Sequence, residues 1–434
     1  MKKIKFLLVA IVAMFAVVVN VNAIDNETDL VTCLTGTEAT CTLTDNVTLN
    51  SAVTIANDKE IDLGSYTLTT TKTITVNADV VIKGTGSIYA ASGVDPMLKV
   101  VEFASLDVQG GTLFNESNFA DIIKLMGSKT DTTDTTEVTI GANATLKGNY
   151  GISISNGGNN FGAVVNFAGE FIGITGNNGY NEGSMAINLN GNNKATSGNV
   201  PVINITGGSM TAAAGTSGNA NDDSAPAIYA AGYGIWNISG GTLTGTEALC
   251  IKSGVFNITG GTFIATGQYV EPPVANGNGS VATGSAVSIT ANDGYASEVE
   301  LTVDGGTFES ENAFALYEGD TTVGSDAVKA IEINDGDFTG KEGALYSKNE
   351  TGFVTGGTFN FDVEEELVAD GLTTTKDANG NYVIGTPASS NTGTSAGTEV
   401  KNPDTSDSVL GYVALAIISV LAISSCVILK KRFN

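Results

Sequence analysis

The chain has 434 residues and a net charge of −26, with 54 glycines, no histidine and a single arginine, Arg432, at its C-terminal end. Residues 24–405 therefore contain neither imidazole nor guanidinium, which excludes a histidine general base, a histidine metal site and an arginine clamp on a carboxylate or phosphate. The same span holds 45 acidic and 14 basic residues, a net −31, which argues against nucleic acid or anionic lipid as partners.

In chain order, Lys2-Lys3-Ile4-Lys5 precedes an apolar run over residues 6–19 and then Val21-Asn22-Ala23. This is the layout of a secretory signal peptide, residues 1–23, with cleavage expected after Ala23. Export implies an oxidising compartment, where Cys33 and Cys41, eight residues apart, could close a small disulfide loop across the first turn of the fold. Cys250 alternates with apolar neighbours in Ala248-Leu249-Cys250-Ile251 and reads as a small core residue, with no histidine to activate it.

From residue 45 to 385 helical periodicity gives way to strand-length alternation of Val, Ile, Thr and Phe, broken by Gly and Asn. One phrase recurs: an apolar strand, two glycines, a small hydroxylated residue and a large apolar one. It reads Val108-Gln109-Gly110-Gly111-Thr112-Leu113, and returns around Gly207-Gly208, Gly240-Gly241, Gly260-Gly261, Gly305-Gly306 and Gly356-Gly357, with a degenerate copy at Asp335-Gly336-Asp337-Phe338. Ala227-Ile228-Tyr229, Ile235-Trp236-Asn237-Ile238 and Thr242-Leu243-Thr244 are answered 21 residues later by Ala248-Leu249-Cys250, Val255-Phe256-Asn257-Ile258 and Thr262-Phe263-Ile264. One rung is thus 21 residues and three short strands, with the glycine pair as a positive-φ corner and Thr, Ser and Asn laddering at corners. Ala186-Ile187, Ala286-Val287, Ala315-Leu316 and Ala344-Leu345 open further rungs at separations of 41, 38, 29 and 29, where polar, Gly-rich inserts such as 191–200, 215–225, 267–284 and 319–327 fit loops projecting from the solenoid. At roughly 4.8 Å per rung, some 12 to 15 rungs would make a rod of about 60 to 70 Å.

An acidic segment, residues 362–372, followed by Asp377-Ala378-Asn379-Gly380-Asn381-Tyr382-Val383, is expected to close the solenoid with a short helix and a hairpin, an end cap at about 360–385. A flexible Ser/Thr/Gly-rich spacer, 386–401, leads to the C-terminal unit, 402–434. Within that unit an apolar stretch at 409–429, long enough to cross a bilayer, is followed by the basic tail Lys430-Lys431-Arg432, which places the body outside the cell.

The rung pattern resembles, over about residues 45–385, the right-handed parallel β-helix of the pectin-lyase-like superfamily, in particular its repeat-built bacterial surface proteins, and the all-β solenoid domain with its capping segments is taken as 24–385. Asn402-Pro403-Asp404-Thr405-Ser406, with the span and tail behind it, resembles the cell-wall sorting signal of Gram-positive surface proteins. That resemblance implies cutting after Thr405 by a sortase and linkage to peptidoglycan. Leu is missing at the first position and Ser406 stands for the usual Gly, so the sortase class stays open, as does a plain membrane anchor on the outer face of the cytoplasmic membrane.

Two functions compete. Many members of the superfamily are polysaccharide lyases or hydrolases, but their basic residues have no counterpart here. The aspartates at hand, Asp222, Asp223, Asp304, Asp335 and Asp337, read as loops and corners at scattered rungs. A non-catalytic surface protein, an adhesin or structural rod with a glycan or protein ligand, is the expectation, with no catalytic residue, no cofactor and no metal site. Tyr180, Tyr233, Tyr269 and Tyr295, in or near loops, could stack on sugars. The acidic surface could collect calcium, although no Asp-x-Asp-x-Asp loop or nonapeptide repeat is present.

Overall fold

The computed structural model describes residues 23–387, apart from 102, 132, 156–159, 176–182, 192–197, 221–222, 272, 274–280, 291–297 and 320–327. The signal segment before Ala23, Cys426, the sorting motif from Asn402 to Ser406 and the span at 409–429 lie outside the described residues. Among the described residues no helix is long and apolar enough to cross a membrane.

The described body is a parallel β-helix, in which each coil lays its strands in register on those of the next. The first leg begins with Thr40–Leu43, Lys59–Asp62 and Asp79–Lys83, and the second with Val47–Leu49, Thr67–Thr70 and Ser87–Ala90. From Ser105–Asn115 onward the two legs usually fuse into one long bent strand, as in Val202–Thr211, Ile235–Gly245, Gly254–Ala265 and Val299–Ser310. The third leg forms a separate sheet of eleven strands, from Val53–Ile55 to Gly343–Ser347. Among the described residues this makes eleven closed coils, fewer than the rung estimate from sequence. The shortfall arises because inserts lengthen individual coils: Ile187 pairs with Ile228, Leu249 with Val287, Val287 with Leu316, and Leu316 with Leu345.

The glycine pair explains the fused strand. The second glycine has positive φ in each copy, 82° at Gly111, 78° at Gly208, 91° at Gly241, 104° at Gly261 and 107° at Gly357. Register shifts fall at the same places, for example between Ile238 and Ser239, so the corner is a bulge within a continuous strand. The strand therefore turns as one element, with its pairing interrupted only at the corner.

In-register stacking puts like residues over one another in the lumen. Phe263, Phe308, Phe338 and Phe359 form a column with ring centroids 4.7, 4.6 and 5.2 Å apart, and Trp236 stacks on Phe256 at 5.7 Å. Each such ring is fully or nearly fully buried, and burial of a large apolar side chain is worth about 1.5–3 kcal/mol. The expected asparagine ladder exists on the outer face of the first leg, away from the corner. Asn257 donates to Asn237 at 3.0 Å, Asn237 to Asn204 and Asn204 to Asn166, both at 2.9 Å, and Asn166 to Glu137 at 2.6 Å. Side-chain amides carry both a donor and an acceptor, so a vertical column satisfies them in series.

Both ends are closed. At the N-terminal end the helix Glu27–Thr35, capped by Asn26 Oδ1 on the Asp29 N–H at 3.0 Å, covers the lumen with Leu30 and Leu34, and Cys33 is joined to Cys41 by a disulfide. Ala23–Ile24 pairs with Thr42–Leu43, and Ile24 is fully buried, so cleavage after Ala23 would leave the first core residue as the new terminus. At the other end lie the 3₁₀ turn Glu365–Leu367 and the antiparallel hairpin of Thr373–Lys376 with Tyr382–Gly385.

Candidate functional site

The third leg has two outer-face properties that differ along its length. Its outward column runs Asn188, Tyr229, Cys250, Ser288, Tyr317 and Tyr346 across successive coils. An outward position in a bare coil faces water, yet Tyr229, Cys250, Ser288 and Tyr317 are buried. Part of the cause is the 267–284 insert, whose described ends meet this region: Thr283 and Gly284 donate to Glu247, and Glu271 accepts from Tyr317. Cys250 is accordingly buried, but against Met185, Tyr229 and Ala231 outside the lumen rather than in the core column. Its thiol is pushed up by burial above all, and it is inert.

Buried titratable side chains in this region are engaged by the protein itself. Glu247 accepts from the Thr283 and Gly284 N–H groups at 2.8 and 3.0 Å, and from the Thr246 and Ser224 hydroxyls at 2.7 and 3.4 Å. Burial raises its pKa against those hydrogen bonds. Lys252, also buried, donates to the Thr290 carbonyl at 3.2 Å, and burial lowers its pKa. Glu318 does for the turn after the last third-leg strand what Glu247 does for the insert, accepting from Ser347, Lys348 and Asn349 at 2.8 to 3.0 Å. These carboxylates are staples: their acceptor sites are occupied by the protein itself. A pocket of about 330 Å³ beside Glu247, lined among others by Ala214, Asp223, Thr246 and Gln268, inherits that property. Asp223 there accepts from the Ser217 and Gly218 N–H groups at 2.6 and 2.7 Å.

Toward the last coils four aromatic rings gather. Tyr317 and Tyr346 stack at 4.9 Å, Phe314 lies 5.3 Å from Tyr346 and 6.5 Å from Tyr317, and Tyr269 meets Phe314 edge-on at 5.8 Å. Tyr269 comes from the 267–284 insert and is 36% exposed, Phe314 and Tyr346 are half-buried, and Tyr317 is buried. Glu271, two residues after Tyr269 and exposed, accepts the Tyr317 hydroxyl at 3.2 Å. Burial first, and then nearby carboxylates, raise the pKa of all three tyrosines, so the phenols stay neutral. The arrangement is an aromatic surface with carboxylates beside it, which suits binding.

The sequence pointed to Tyr269 alone of this group. Phe314, Tyr317, Tyr346 and Glu271 were missed, although Ala315-Leu316-Tyr317 and Ala344-Leu345-Tyr346 repeat at the 29-residue rung spacing. The residue after an Ala-apolar rung opener is the outward one, and that was the available signal. Tyr233 stands apart from the patch, with Glu298 and Glu300 acting on it, while Tyr180, Tyr295 and Asp222 lie outside the described residues. Asp304, Asp335 and Asp337, read as scattered, share one corner on adjacent coils, since Asp304 pairs with Asp335 and Asp337 with Thr307. All three are exposed, and Asp304 accepts from Asn334 at 2.9 Å. Among the described residues no group of three or more Asp, Glu, Cys or His side chains is placed to hold a metal ion.

No protein-family model, curated protein or solved structure matches this chain.

Proposed function

We propose that the chain is a non-catalytic surface protein, a β-helix that presents a binding patch outside the cell. The observation that carries this is the aromatic surface of Tyr269, Phe314, Tyr317 and Tyr346 on the third leg, built partly from an inserted loop and left accessible. Ordinary coils have no need of it, because the lumen is already filled by its own aromatic column. The reading takes the coil as right-handed, as parallel crossovers nearly always are, and the family as pectin-lyase-like. It adds export by the signal at residues 1–23 and retention by Asn402-Pro403-Asp404-Thr405-Ser406, through a sortase to peptidoglycan or by the apolar span in the membrane. The role calls for no cofactor.

An array of glycans and extracellular proteins probed with the full chain tests the role. Binding without turnover that is lost in Tyr269→Ala supports it. Depolymerisation of a polysaccharide, abolished by Asp304→Asn or Asp335→Asn, would replace it with a carboxylate-based lyase or hydrolase.

A further inference from the structure

The chemistry around the aromatic patch narrows its ligand, granted the binding role above. Ring faces carry negative quadrupole potential, and the charges that act most on Tyr269, Tyr317 and Tyr346 are those of Glu271, Glu342, Glu318 and Glu364. A neutral sugar can hydrogen-bond to such a rim through its hydroxyls but gains no charge pairing from it. It also stacks best on a broad plane, whereas these rings meet at 73°, 46° and 40° and are near-parallel only in the Tyr317–Tyr346 stack, at 13°.

Among cations the hydrogen-bonding groups discriminate. A quaternary ammonium has no N–H and would pair with Glu271 by charge alone, with no hydrogen bond to it. A guanidinium binds best through two parallel bonds to one carboxylate, and at Glu271 it would have to share Oε2 with the Tyr317 hydroxyl at 3.2 Å. A primary ammonium on a flexible four-carbon stem meets both demands: the stem lies on apolar ring surface and the compact charge needs one acceptor oxygen. The strongly acidic body, net −31, would speed the approach of such a partner.

We propose that the patch of Tyr269, Phe314, Tyr346 and Glu271 captures a lysine side chain of a protein partner, its stem across the rings and its ammonium against Glu271.

The test titrates the purified full chain with a lysine-rich model peptide and with the same peptide acetylated on its lysines, at low and high salt. Acetylation should weaken binding by about tenfold or more, and Tyr269→Ala and Glu271→Gln should each weaken it about five- to tenfold, the scale of a cation–π contact and a rim charge. Asp45→Asn removes an exposed charge from the first coil and should leave binding unchanged. Equal affinity for the acetylated peptide overturns the proposal, as does an equal loss from Asp45→Asn, which would mean attraction by bulk charge alone. A neutral glycan bound in a Tyr269-dependent manner, with no peptide binding, overturns the lysine assignment and preserves the binding role. If no ligand of either kind depends on Tyr269, both fall.

Discussion

At the corner of each coil a single atom decides which residue is allowed. A Cβ built on Gly241 would stand 2.9 Å from the Gly207 carbonyl oxygen of the preceding coil, and the backbone there sits at φ +91°. Gly241→Ala therefore combines backbone strain with a close approach to main chain that cannot move without breaking the ladder, and should cost about 1–3 kcal/mol in a denaturant titration. Gly218, also at positive φ but with open space around its Cβ position, should lose less on the same change. A second residue-scale effect concerns Asp121, buried at the start of a third-leg strand and pushed up to about 6 from an ordinary 3.8, mainly by burial, with Asp95 adding to it. With the folded pKa above the unfolded one, the stabilisation is full below pH 3.8 and is lost as pH rises through about 6. Asp121→Asn should therefore gain on the parent by about 2–3 kcal/mol between acid and neutral pH, read from denaturation midpoints at the two pH values. An unchanged difference would mean that Asp121 ionises without penalty. The glycines were legible because a repeated Gly pair has a geometric cause, whereas Asp121 and Glu247 look like any other acidic residue until burial is known.

The elements differ in how far local sequence specifies them. The N-terminal helix is marked by Asn26 ahead of Glu27 and Asp29 in its first turn, and its apolar side is only Leu30, Cys33 and Leu34. A nine-residue helix is marginal alone, so its persistence depends on the lumen beneath and on the Cys33–Cys41 bond. Changing both cysteines to serine should lower stability by about 2–3 kcal/mol, through the lost loop constraint, and the loss should appear as earlier hydrogen exchange in residues 26–35 and the first coil. The strands were readable because coil-to-coil register repeats the inward positions. The two-leg strand was not, because a bulge keeps the strand continuous where glycines read as a break. The inserts were located correctly by composition, but composition is silent on whether a polar loop projects or folds back. Thr283 and Gly284 give Glu247 two backbone donors, and those contacts pair residues 36 and 37 positions apart.

For the molecule as a whole, charge and repetition set the behaviour. A body of net −31 repels itself, so added monovalent salt should raise its thermal midpoint through screening, the reverse of a fold held by surface ion pairs. Attachment has its own test: Thr405→Ala should move the protein from the wall fraction to the membrane fraction of the producing cell, and no movement would leave only the membrane anchor. Sequence by itself determined the solenoid, its rung spacings and the exclusion of histidine- and arginine-dependent chemistry, because those follow from periodicity and from which side chains exist. Only the tertiary structure decided that the ends of the 267–284 insert reach Glu247 and Tyr317, that Cys250 faces outward, and that Tyr269 joins Phe314, Tyr317 and Tyr346. The reason is that these residues lie on different coils and a loop, and are brought together by stacking distance rather than by any spacing along the chain.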